Sequence, residues 1–205
     1  MKKISSLVFL ILSLFAFSQE YHFDTSFVIN TKRLSSNEEL GKTKVRINSL
    51  DRSYIFYEYP DNTIVVFDDK KNLNCFYEKV NINNEVSYQL KNCTKRKKIK
   101  SNEIEFEKIT VSKIADDIYV LETFKNKNSK ISNFTLKLKL KPVDKDMLVL
   151  HLDMNKSIRD RLLNELKSYL NSSNYFIVSA EIDNKNGYYF IDTMNNLKDE
   201  IFIIK

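Results

Sequence analysis

One stretch, Asn155–Asn171, interrupts a chain whose apolar residues otherwise alternate with polar ones. Within it Ile158, Leu162, Leu163, Leu166, Tyr169 and Leu170 recur every three to four residues, which places them on one face of a helix. Ser157 reads as its N-cap, Asp160 completes an approximate capping box, and Arg159, Arg161, Glu165 and Lys167 read as its wet face. Everywhere else the period is two. One amphipathic helix among about a dozen strands predicts a mainly β (α+β) protein: a large twisted antiparallel meander sheet, or a half-open barrel, braced by that helix.

The alternation is clearest at Phe134–Lys141, where Phe134, Leu136, Leu138 and Leu140 face inward while Thr135, Lys137, Lys139 and Lys141 face water. A turn at Pro142–Asp146 then places Leu148, Leu150 and Leu152 as a returning strand opposite Leu140, Leu138 and Leu136. The first strand, Tyr21–Lys32, presents Phe23, Thr25, Phe27 and Ile29 to one side. In Tyr54–Tyr59 the alternation sets Ile55, Tyr57 and Tyr59 against Tyr54, Phe56 and Glu58. With only two glycines and two prolines, the turns must rest on Asn and Asp, which tolerate left-handed backbone better than other side chains.

Residues 1–18 read as a signal peptide: Lys2 and Lys3 precede the apolar run Ile4–Phe17, and Ala16-Phe17-Ser18 supplies small residues for cleavage. Residues 19–205 are then a single β-rich domain, exported to the periplasm, the outer-membrane periphery or the exterior. Removing the leader takes two lysines from a formal charge of +6, and the remaining excess is spread among acids, which argues against nucleic-acid binding. The lysine-bearing outward faces also argue against an integral membrane barrel. In an exported chain Cys75 and Cys93 are a disulfide candidate. They fall opposite each other if Ile82 pairs with Val86 across a three-residue loop.

Catalytic signatures are missing. Two isolated glycines supply neither a phosphate loop nor a nucleophile elbow, and two distant histidines supply no metal cluster, so no cofactor or enzymatic activity is expected. His151, with Asp153 two residues on and Lys137 opposite, reads as an exposed histidine on a polar strand face. The basic run Lys95–Lys100 reads as half of a cross-strand charge ladder, with Lys100 opposite Glu103, Lys98 opposite Glu105 and Arg96 opposite Glu107.

The segment Asn48-Ser49-Leu50-Asp51-Arg52-Ser53-Tyr54 before a second aromatic strand, with the exported N-terminus and Asn/Lys/Ile-rich composition, resembles uncharacterised secreted β-rich proteins of the Bacteroidetes lineage. That resemblance implies no activity. Many strands with one helix also look like the half-open barrels of periplasmic lipid-carrying proteins. That likeness implies an apolar ligand face made of Leu136, Leu138, Leu140, Leu148, Leu150, Leu162, Leu163 and Leu166. The functional expectation is therefore a binding module holding a lipid or other apolar, envelope-derived ligand between sheet and helix. The alternative is a structural protein with a filled core that meets an envelope protein partner.

Overall fold

The computed structural model describes residues 20–82, 85–96, 105–152, 154–172 and 174–204; the leader and most of the predicted charge ladder lie outside them. Eleven strands form one antiparallel sheet that does not close. They are β1 (Tyr21–Arg33), β2 (Glu38–Ile47), β3 (Tyr54–Glu58), β4 (Ile64–Asp68), β5 (Leu73–Ile82), β6 (Glu85–Lys95), β7 (Lys108–Ala115), β8 (Ile118–Phe124), β9 (Phe134–Pro142), β10 (Tyr175–Asp183) and β11 (Tyr189–Ile204). The helix α1 (Lys156–Leu170) lies between β9 and β10 in sequence.

The spatial order is β6-β5-β4-β3-β2-β1-β11-β10-β9-β8-β7. Two meanders, β1–β6 and β7–β11, are thus joined along a central seam where β1 pairs with β11. β6 and β7, adjacent in sequence, are the two outer edges. This rules out the Arg96–Glu107 rung of the ladder. Arg96 bonds Asp69 and Asn74 instead, and the Glu107 amide donates to the Phe124 carbonyl.

The two faces of the sheet carry different cores. One gathers Phe27, Ile29, Val45 and Ile47 with the leucines of β8 and β9, beneath Ile158, Leu162 and Leu166 of α1. The other gathers Tyr21, Phe23, Phe56, Ile64, Val66, Cys75, Tyr77 and Ile204. Phe23 and Phe27 were expected on one face, yet they belong to different cores. Between them the pairing with β11 shifts register twice, at Phe23–Thr25 and Ser26–Val28, each time with the extra residue in β11.

The segment expected to return as a strand alongside β9 does not pair with it. β9 already has β8 on one side and β10 on the other, so no ladder edge is left. Residues 143–152 instead cross the sheet as an extended strap, burying Met147, Leu148, Leu150 and Leu152. The helix begins two residues earlier than the predicted cap: Asn155, not Ser157, is the N-cap, its carbonyl accepting from the Ile158 and Arg159 amides. Asp160 pairs with Lys156 at 2.6 Å rather than capping. Tyr169 is exposed rather than buried, its ring edge-on to Tyr119. Arg161 covers Phe106 at 4.2 Å instead of facing open water.

The predicted turn chemistry holds. Asn37, Asn62, Asn72, Asn171 and Asn196 all take positive φ, with Lys185 the remaining non-glycine case among the described residues. Gly41 is required for space as well, since a Cβ there would lie 2.5 Å from Pro60 Cγ.

Candidate functional site

Tyr88 of β6 and Phe202 of β11 meet edge-to-face with centroids 5.3 Å apart. Five strands separate β6 from β11 in the sheet. At ~4.8 Å per strand a flat sheet would hold them ~29 Å apart. The β1–β6 meander therefore curls round until its outer edge faces the central seam. Polar residues that alternation places on a solvated face become the wall of a concave mouth.

A cleft of about 350 Å³ opens there, lined by Val28, Lys42, Lys44, Glu58, Tyr59, Lys79 and Tyr88. Arg46 lies beneath it, 4% exposed, with its guanidinium 4.7 Å from the Phe56 ring centre and 4.0 Å from that of Phe202. Such cation–π contacts let an arginine be buried where a lysine would stay hydrated. Arg46 Nε donates to Glu200 Oε1 at 3.2 Å, while its Nη1 is 3.9 Å from Glu58 Oε2, too far for a hydrogen bond.

Both carboxylates are already heavily engaged. Glu58 accepts from Lys79 Nζ at 2.9 Å and from Tyr88 Oη at 3.2 Å. Glu200 accepts from Ser26 Oγ at 2.6 Å and from Lys44 Nζ at 3.4 Å, with Lys198 Nζ 3.3 Å away. Burial on its own would raise the Glu200 pKa, but the Ser26 bond, Arg46, Lys44 and Lys198 outweigh it and hold the group down to about 2. Lys44 shows the opposite imbalance. Burial and the adjacent Arg46 push its pKa down despite Glu200.

His151 lies on the strap on the other face of the sheet. It was expected to be exposed, but its ring is partly buried: Phe27 packs on it at 5.1 Å and Tyr57 Oη is 2.8 Å from Nδ1. Burial, then the nearby Arg159 and Arg52, lower its pKa to about 3. Burial also raises the Tyr57 hydroxyl. Both groups are thus neutral at pH 7, and the arginines oppose the imidazolium that a general base would form. Lys137, expected opposite His151, pairs with Glu181 on β10 at 2.9 Å, and Asp153 lies outside the described residues.

Cys75 and Cys93 pair as predicted, with an S–S distance of 2.05 Å. The route to that register differs from the expected one. Ile82 pairs with Glu85, not Val86, and a register shift between Phe76 and Tyr77 restores the alignment. The proposed apolar ligand face is brought together: Leu136, Leu138, Leu140, Leu148, Leu150, Leu162 and Leu166 are buried in one cluster, with Leu163 partly buried against it. They pack against one another.

Among the described residues no group of three or more His, Cys, Asp or Glu could hold a metal ion, and no helix is long and apolar enough to cross a membrane. No protein-family model matches the chain, and no curated protein matches it.

Proposed function

We propose that this is an exported, non-enzymatic binding module whose ligand sits in the mouth of the curled β1–β6 meander. The observation that carries this reading is the cleft itself, where the Tyr88 ring and ammonium groups converge on a space of small-molecule size. An apolar ligand between sheet and helix would have to displace leucines that already fill that space with one another, so the binding face moves to the opposite side of the sheet. The disulfide supports an oxidising compartment. The neutral Tyr57–His151 pair serves to fasten the strap to the sheet.

Native mass spectrometry of the mature protein from its own envelope fraction tests this. A small-molecule mass that leaves on denaturation and is absent from Tyr88→Ala would support the mouth as the site. A mass retained by Tyr88→Ala would return the ligand to the space under the helix. A bare wild-type mass would favour the filled-core protein-interaction reading.

A further inference from the structure

We infer that the ligand of the mouth is an organic anion bearing a ring: an acidic group held by Lys42 and Lys44, with the ring against Tyr88. This rests on the mouth being the binding site and adds the ligand's chemistry.

The argument is one of donors and acceptors. Three lysines line the cleft against a single carboxylate, Glu58. Glu58 is used by Lys79 and Tyr88, and Glu200, just below, by Ser26, Lys44, Arg46 and Lys198. Lys42 forms no ion pair among the described residues. At the floor, Arg46 Nη1 is a buried donor with no hydrogen-bond partner. A buried donor without an acceptor is costly, and a neighbouring like charge disfavours a charged state, as Arg46 does for half-buried Lys44. An anion entering the cleft gives Lys42 an acceptor and counters the repulsion between Lys44 and Arg46 in one step. A neutral ligand does neither.

The ring requirement comes from the walls. Tyr88 is held edge-on by Phe56 at 5.6 Å and Phe202 at 5.3 Å, so its orientation is fixed before any ligand arrives. Preset aromatic surfaces favour a flat partner because little side-chain entropy is lost on contact.

The test uses the mature, disulfide-bonded protein titrated with phenyl phosphate, inorganic phosphate and phenol, followed by two-dimensional amide NMR. Phenyl phosphate is expected to move the amides of Lys44, Glu58 and Tyr88, and to bind about tenfold more tightly than either phosphate or phenol. Its affinity should fall with added salt and drop about tenfold in Lys42→Glu, an exposed substitution that leaves the cores untouched. If phenol binds the cleft as well as phenyl phosphate and Lys42→Glu changes nothing, the anion assignment is overturned while the mouth survives as the site. If inorganic phosphate binds as well as phenyl phosphate, the ring is overturned and the anion stands. Shifts confined to other regions, or none with any probe, would overturn both the chemistry and the site.

Discussion

The two faces of the sheet solve the same burial problem with different materials. The helix face is aliphatic: leucines from β9, the strap and α1 interlock, and charged groups stay at its margin. The curled face is aromatic and ionic, with Phe23, Phe56, Tyr88 and Phe202 packed round a buried arginine and the disulfide beside them. A helix can be laid over an apolar sheet, so the first core needs no particular curvature. The second has no covering element among the described residues. It is sealed only by the sheet's own curl, which is why it needs a covalent tie at its outer hairpin and why it keeps an open mouth. The closed core is filled by leucines, and the open one keeps charged and aromatic groups at its mouth.

That contrast can be broken by experiment. The largest effect is expected for Leu166→Ala, beneath the helix, at about 3–5 kcal/mol from lost transfer energy plus the cavity left behind. A lowered urea midpoint at constant slope would register it, and a loss below about 1 kcal/mol would mean the helix does not seal this core. Reducing the Cys75–Cys93 bridge, or replacing it by Cys75→Ala/Cys93→Ala, should cost about 3 kcal/mol on the chain-entropy account. Hydrogen exchange should then rise first in β5 and β6 while β9 and β10 stay protected. Uniform loosening would show that the two faces form one cooperative unit.

Acid separates the faces next. His151 is neutral in the fold, with its pKa lowered from 6.5 to about 3, so an unfolded chain binds this proton sooner. Its contribution is complete above pH 6.5 and declines as pH falls towards 3, amounting to about 2 kcal/mol by pH 5. Glu200, lowered from 4.5 to about 2, contributes fully above pH 4.5 and loses that contribution only below it. Stability measured against pH should therefore fall in two stages, and His151→Gln should flatten the first alone. A single stage beginning near pH 4.5 would refute the buried-histidine account. The smallest effect is expected for Lys156→Ala, which removes an exposed helical pair and should change stability by under about 0.5 kcal/mol.

Much of this architecture was legible locally. Period-two alternation located most of the strands, though not β7, three-to-four spacing located α1, and asparagines marked the turns. What local pattern does not carry is pairing. Nothing in Leu148, Leu150 and Leu152 records that β9 has both its neighbours already, so a strap reads as a strand. Bulges add a residue without changing composition, so the switch of face between Phe23 and Phe27 is silent in sequence. The mouth was hidden for a related reason. Lys42, Lys44, Glu58, Lys79 and Tyr88 alternate as an ordinary wet face does, and only the curl, set by contacts between β6 and β11, turns that face inward. One trace was available: Arg46 sits between Val45 and Ile47 on a strand whose next neighbour offers Phe56.

The seam between β1 and β11 also sets a timetable. Sheet formation between residues 21 and 204 spans nearly the whole chain, so loop closure is paid in full before the centre of the sheet exists. Until the last strand is available, each meander is a fragment with a raw inner edge, and neither core has all its walls. The seam can thus form only after residues up to 204 are available, later than the local hairpins of either meander. The same contact that holds the finished sheet together is the last one able to form.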